Sequence, residues 1–313
     1  MTNLSEFTFL SSDGKTQLHG MLWEPEGVAV RAVLQICHGV AEHIARYDGF
    51  ARALNEQGIV VAGHDHLGHG KSLPEGGTPV YFGDGNTWNT VVDDIYVLHQ
   101  RLKQRYPDVP LCIMGHSMGS FLTRTYLIRY PGTVKAAVIM GTGWQPRAAI
   151  TGGLALANAI AAVSGENATS ELVTELAFGS YNKLFAPNRT KVDWLSADES
   201  NVDDYIADPL CGADATVGLF RQMLHGIRFN QRQSHLRQMD REMPVLFVAG
   251  DKDPVGSCGK GVRQTYDAFR AAGMRDCTLK LYPGLRHEIL NEKAYAADIT
   301  KNIEAWLLSR LEK

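Results

Sequence analysis

The sequence predicts an α/β protein: a mostly parallel central sheet with helices on both faces, interrupted by one large insertion. Three observations predict it. Short apolar runs alternate with segments whose apolar residues recur at three- and four-residue intervals, the pattern that builds parallel sheets. The alternation stops after Gly143 and resumes only at Pro244, about 100 residues later, far beyond an ordinary crossover. At 313 residues the chain is long for one compact domain and suits a large core carrying an insertion.

The elements follow in order. Residues 5–10 and 16–23 read as an opening hairpin, followed by a strand at 31–37, a helix near 45–57 and a strand at 58–63. Residues 86–105 make the clearest helix. There Trp88, Val91, Val92, Ile95, Leu98 and Leu102 form one apolar stripe, with Asp93, Asp94, Arg101 and Lys103 off it. A strand at 110–114, a helix over 121–130 and a strand at 134–140 come next, and strands at 244–249 and 277–282 lie beyond the insertion. Residues 1–143 and 236–313 are therefore expected to form the core, and 144–235 an inserted cap.

The chemistry starts at Gly115-His116-Ser117-Met118-Gly119. A serine between a strand and a helix sits on a very tight turn, where glycines have no Cβ to collide and tolerate backbone angles that others avoid. The turn lifts the hydroxyl clear of the sheet and directs a helix N-terminus at whatever bonds to it. A serine hydroxyl is nearly inert alone, so a base and an acid are required, in the order serine, carboxylate, histidine. The strand at 244–249 ends in Gly250-Asp251-Lys252-Asp253-Pro254, and that at 277–282 ends in Pro283-Gly284-Leu285-Arg286-His287. Ser117 is the candidate nucleophile, His287 the general base and then acid, and Asp253 the group that orients the imidazole. Spacing alone does not separate Asp253 from Asp251, which is the alternative acid. Acyl transfer also needs donors for the developing oxyanion. The backbone N–H of Met118 is one candidate. The N–H of Val40, in the loop His38-Gly39-Val40-Ala41-Glu42-His43 after the third strand, is the other.

These motifs, with Gly63-His64-Asp65-His66-Leu67-Gly68-His69-Gly70-Lys71-Ser72 between them, resemble those of the monoacylglycerol lipase and lysophospholipase group of α/β-hydrolases, the serine aminopeptidase S33-type hydrolases. The resemblance runs from about residue 15 to the C-terminus in order and spacing, and is weak across residues 144–235. It implies the α/β-hydrolase fold and a cap over the site. It implies Asp253 as the acid, the amides of Val40 and Met118 as oxyanion donors, and acyl esters such as monoglycerides or lysophospholipids as substrates. In one place the chain departs from the pattern: the first loop reads Gly39-Val40-Ala41 where a small residue and then glycine are common.

Composition sets limits. A net charge of −3 offers no basic field for nucleic acid. The N-terminus lacks a basic stretch followed by an apolar core, so no secretory signal is expected. Five cysteines without paired spacing read as reduced thiols, and the expectation is a cytoplasmic protein, peripheral at most to a membrane. Neither metal nor organic cofactor is required by the triad chemistry. The sequence sets no oligomeric state.

Several features keep two readings open. Residues 148–163 are apolar but hold two glycines and are short for a membrane span. They read as a cap helix buried on the core, a wall of an acyl pocket, or a surface that touches lipid. Leu184-Phe185, Trp194-Leu195, Tyr205-Ile206 and Leu219-Phe220 are apolar anchors that either line the ligand or simply pack. The histidine spacing at 64, 66 and 69 also fits a metallo-hydrolase zinc loop, but Gly68 stands where the ligand aspartate should be. The simpler reading is a loop whose histidines bond backbone and Asp65. Glu42-His43 reads as a hydrogen-bonded brace for the oxyanion loop. An aminopeptidase or amidase remains the alternative activity, with Glu171, Glu175 or Asp203 to hold a free amine. A non-catalytic ligand-binding protein on the same fold is the remaining reading.

Overall fold

The computed structural model describes residues 1–311. Eight strands form one sheet in the order β1-β2-β4-β3-β5-β6-β7-β8. They are β1 (Thr2–Leu10), β2 (Gln17–Pro25), β3 (Ala32–Cys37), β4 (Ile59–His64), β5 (Leu111–His116), β6 (Ala136–Met140), β7 (Val245–Gly250) and β8 (Cys277–Tyr282). The opening hairpin pairs antiparallel, and β2 meets β4 antiparallel. Every pairing from β4 through β8 is parallel.

The central strands read as continuous apolar runs because both of their faces are buried. Val33, Ile113, Ile139 and Phe247 face one core, which α2 (Thr87–Arg105), α3 (Met118–Arg129) and α10 (Lys260–Ala271) help to cover. Leu34, Met114, Val138 and Val248 face the other, covered by α1 (Asp48–Asn55) and α11 (Ala296–Leu311). The predicted stripe of α2 is buried throughout. Asp94, expected off the stripe, is also fully buried, and its carboxylate accepts from the Ser11 hydroxyl (2.9 Å) and the Ser12 amide (2.5 Å). A polar residue on a buried face was invisible to a periodicity that counts only apolar side chains.

Between β6 and β7 the chain builds α4 (Arg147–Ser164), α5 (Glu171–Thr174), α6 (Ser180–Lys183), α7 (Glu199–Ala207), α8 (Val217–Asn230) and α9 (Gln233–Leu236). Thr216 caps α8, its hydroxyl accepting from the Leu219 amide. Asn230 fastens α8 to α3 through the Phe121 carbonyl (2.8 Å) and the Thr125 hydroxyl (2.9 Å). In α4 only Ile150, Leu154 and Ala157 are buried, so it is not a helix sunk in the core. By length and composition it could cross a membrane, with a mean hydropathy of 1.3. Its inner face instead walls a cavity.

Candidate active site

Ser117 stands at φ 54°, ψ −123°, backbone that L-residues rarely adopt, at a cost of about 1–3 kcal/mol. The strain is held by its neighbours: the Ser117 N–H donates to the Met140 carbonyl, and the Ser120 amide and hydroxyl donate to the Ser117 carbonyl. The flanking glycines have one of the two expected roles. Neither has a positive φ. A Cβ on Gly115 would meet the Gly119 carbonyl and the Thr123 hydroxyl, and one on Gly119 would meet the Cys37 and His38 carbonyls. Close approach, rather than backbone freedom, is what those positions require.

The loop after β8 brings His287 to Asp253. Its Nδ1 lies 3.0 Å from Asp253 Oδ1, and both side chains are almost fully buried. Oδ1 also accepts the Val255 amide at 2.9 Å. Asp251, the competing carboxylate, instead accepts the Gly284 amide and closes the neighbouring turn. His287 lies against the serine turn, its ring 4.7 Å from the ring of His116. A Cβ on Gly141 would sit within 3.2 Å of both rings. The Nε2 of His287 is buried without a hydrogen-bond partner, so the bond to the Ser117 hydroxyl is not made. Catalytic hydrogen bonds of this kind commonly tighten only once substrate is bound.

Glu42 braces the loop after β3. Its carboxylate accepts from the Gly39 amide (2.5 Å), Arg46 (3.0 Å), the Tyr47 hydroxyl (3.0 Å) and His116 Nδ1 (3.1 Å). Burial alone would raise this carboxyl, but the hydrogen bond and charge of His116 and the charge of Arg46 hold it far below the usual range. Burial would likewise lower His116, yet its bond to Glu42 and the nearby carboxylates raise it. Its other nitrogen faces the His287 carbonyl at 3.3 Å, so both ring nitrogens meet acceptors and the ring is assigned as imidazolium. Arg46 grips Glu288, the residue after His287, through two bonds of 2.7 Å. Sequence reasoning missed His116, Arg46 and Glu288. The only signal for them was adjacency to the motif residues. Ala41, where the resemblance expects glycine, has φ 52°, the left-handed backbone that explains glycine there.

The histidine loop is a stack of buried rings. His38 lies 4.2 Å from His66 and accepts the His66 amide at Nε2, and His64 sits edge-on to Phe9. Of the three loop histidines only His69 bonds backbone, to the Leu67 carbonyl. Asp65 does not serve them, contrary to expectation. It takes His19 Nδ1 and the amides of Ile44 and Lys71, because its side chain faces β2 and the loop ends.

A cavity of about 390 Å³ opens on Ser117, Val40 and Met118. Gly152, Leu156, Phe178, Phe220 and Met223 are among its walls, and among the described residues no charged side chain lines it. Of the expected anchors, Phe220 lines it. Trp194 stands 5.1 Å from the His287 ring, and the Leu195 carbonyl accepts the amides of His287 and Glu288. Leu184 and Ile206 point outward, 60% and 55% exposed. Glu175 pairs with Lys183 and Asp203 with Arg189, and neither they nor Glu171 reaches the cavity.

All these groups sit on loops at the carboxyl ends of parallel strands, where open α/β sheets bind ligands. That plan, with a strained serine leading into α3, is the plan of the α/β-hydrolases, and this chain is one of them. More narrowly, it belongs to the family described as serine aminopeptidase, S33, whose model matches residues 28–294. It is 31% identical to a monoacylglycerol lipase of Mycolicibacterium smegmatis, over 98% of both chains. It is 28% identical to the mouse monoglyceride lipase, over 96% of this chain and 90% of that one. A thermostable carboxyl esterase from Bacillus coagulans, solved in complex with glycerol, superposes with a TM-score of 0.92 at 26% identity, covering 99% of this chain and all of the other. A lipase in its open form gives 0.88 at 28% identity, with the same coverage.

Proposed function

We propose that the chain hydrolyses carboxylic esters, monoacylglycerols foremost, through an acyl-enzyme on Ser117. The observation that carries this reading is the uncharged, apolar cavity that meets the serine hydroxyl. An acyl chain gains from such walls, whereas a free ammonium or a phosphate would be desolvated there without a partner. The lipase and esterase relatives support the same class.

In this mechanism His287 Nε2 takes the Ser117 proton as the oxygen attacks the ester carbonyl. The amides of Val40 and Met118 hold the oxyanion, the second being a first-turn N–H of α3 with no acceptor inside the helix. Asp253 keeps the His287 proton on Nδ1 and stabilises the imidazolium. His287 then returns the proton to the leaving alcohol, and water repeats the cycle on the acyl-enzyme to release a carboxylic acid. Residues 144–235 act as a cap over the reacting centre. The exposed side of α4 is the part of that cap suited to transient contact with a lipid surface, which fits a cytoplasmic enzyme that visits membranes.

The test has two parts. Ser117→Ala should abolish covalent labelling by a fluorophosphonate while the circular dichroism spectrum is unchanged. Persistent labelling would place the nucleophile elsewhere. Against p-nitrophenyl esters of graded length, monoacylglycerol, lysophospholipid and amino-acid anilides, the wild type should favour medium to long neutral acyl esters. Faster turnover of the anilides would replace this reading with the aminopeptidase one.

A further inference from the structure

Beside the loop after β3, and outside the lining of the cavity, three metal-ligating side chains of different chemistry converge. His43, Asp208 and Cys211 each offer one donor atom, and the three atoms lie within 4.8 Å of one another. His43 belongs to the core loop that carries Val40, and Asp208 and Cys211 follow α7 in the insertion. His43 Nε2 already sits 2.8 Å from Asp208 Oδ2. A tight turn holds the other two donors on one side: the Cys211 amide donates to the Asp208 carbonyl and the Leu210 amide to Asp208 Oδ1. His43 is buried, while Asp208 and Cys211 are half-buried, so the cluster is open to solvent on one side. Nothing in the proposed mechanism uses these three residues.

We propose that His43, Asp208 and Cys211 form a binding site for a borderline-soft divalent cation, zinc by preference, with water as the fourth ligand. An imidazole, a carboxylate and a thiolate are the donors zinc prefers, at about 2.0–2.3 Å each. Tetrahedral donors then stand roughly 3.3–3.8 Å apart, so side-chain shifts of about 1 Å convert this cluster into a coordination sphere. The mixed sulfur and nitrogen donors select zinc over magnesium, which takes oxygen ligands. The protons balance simply. The Cys211 thiol proton leaves to solvent as sulfur binds, and the neutral His43 ring carries its proton on Nδ1 so that Nε2 can ligate.

The site would fasten the insertion to the oxyanion loop. Two contacts already tie them: the Gly212 amide and the Tyr205 hydroxyl both donate to the Ala41 carbonyl at 3.0 Å. A metal shared by His43 and the Asp208–Cys211 turn would add a third tie beside these. The nearest positive charge, Arg46, is already neutralised by Glu42 and Glu288. The inference therefore stands whatever ester the cavity accepts.

The experiment uses the full chain in a Cys258→Ser background, which removes the exposed thiol, dialysed against EDTA and then titrated with zinc chloride. Calorimetry should give one zinc per chain and a raised thermal midpoint, with magnesium chloride doing neither. Zinc should slow maleimide modification of the Cys211 peptide, read by mass, at least tenfold. Cys211→Ser should weaken zinc binding at least tenfold while hydrolysing p-nitrophenyl butyrate in EDTA at the parental rate. Asp208→Asn gives a second, conservative check and should weaken binding similarly. Zinc binding undiminished in both variants, no binding at all, or a Cys211 thiol that zinc leaves unprotected would each overturn the proposal.

Discussion

At the scale of single residues, two aspartates two positions apart in one loop carry different loads. Asp253 is wholly buried and bonds the imidazole, whereas Asp251 caps a turn at the surface. Asp253→Asn should lower kcat/KM by about 10³–10⁴, because the amide favours the wrong imidazole tautomer. Asp251→Asn should cost less than about tenfold. Steady-state kinetics on one ester decides it, and the reverse ranking would mean the acid is Asp251. Glu42 makes a different prediction. It joins the loop after β3, His116 and Arg46 in a buried charge network, so Glu42→Gln leaves two buried cations short of a partner. The loss should be about 3–5 kcal/mol in urea unfolding, since breaking one side of a buried pair strands the other. The Asp253–His287 pair and its place beside the Ser117 turn were legible in the sequence because the proposed chemistry fixes residue type and chain order. His116, Arg46 and Glu288 were not, because the charge balance that recruits them exists only once the chain segments at the carboxyl ends of β3, β5 and β8 meet at one end of the sheet.

Among the elements, α4 shows how a sequence can underdetermine a role. Its composition allowed burial, a pocket wall or lipid contact, and no periodicity could choose, since alanine and glycine lie on every side. The structure makes it a wall: Ala149, Gly152, Gly153 and Leu156 face the cavity, while Val163 is 88% exposed. The two glycines differ in a testable way. A Cβ on Gly153 would press on Leu224, whereas one on Gly152 meets nothing within 4 Å. Gly152→Leu should therefore fold, with helix propensity improved by up to about 1 kcal/mol. Its side chain would intrude on the cavity and shift the preferred ester toward shorter acyl chains. A chain-length profile identical to that of the wild type would show that acyl groups bind elsewhere. The sheet was easier to read than α4. Strands buried on both faces leave continuous Val, Ile and Leu runs, so β3 to β7 were predicted to within about two residues of where they lie.

For the molecule as a whole, the buried histidines set how stability responds to acid. Burial holds His64 and His69 down to about 3 and His66 well below its ordinary value, and it lowers His38 as well. Each is neutral when folded but titrates near 6.5 in the unfolded chain. The unfolded state thus binds more protons below that pH. The stability these groups contribute is complete above about 6.5 and is lost as the pH falls toward 3. At pH 5 His64 and His69 each cost up to about 2 kcal/mol, and His66 and His38 act in the same direction. Other groups oppose this. Asp94 is raised to about 6 by burial, so it favours the folded state more as the pH falls, by about 1.4 kcal/mol at pH 5. His19 and His116 are raised by their carboxylate partners, and their contribution is present below 6.5 and lost at alkaline pH. The histidine cluster outnumbers these terms, so the urea midpoint should fall clearly between pH 8 and pH 5. A midpoint that held or rose over that interval would mean that the His38–His66 stack is solvated or protonated in the native state, and that this loop is not the dry, neutral packing element that positions the strand ends around Ser117.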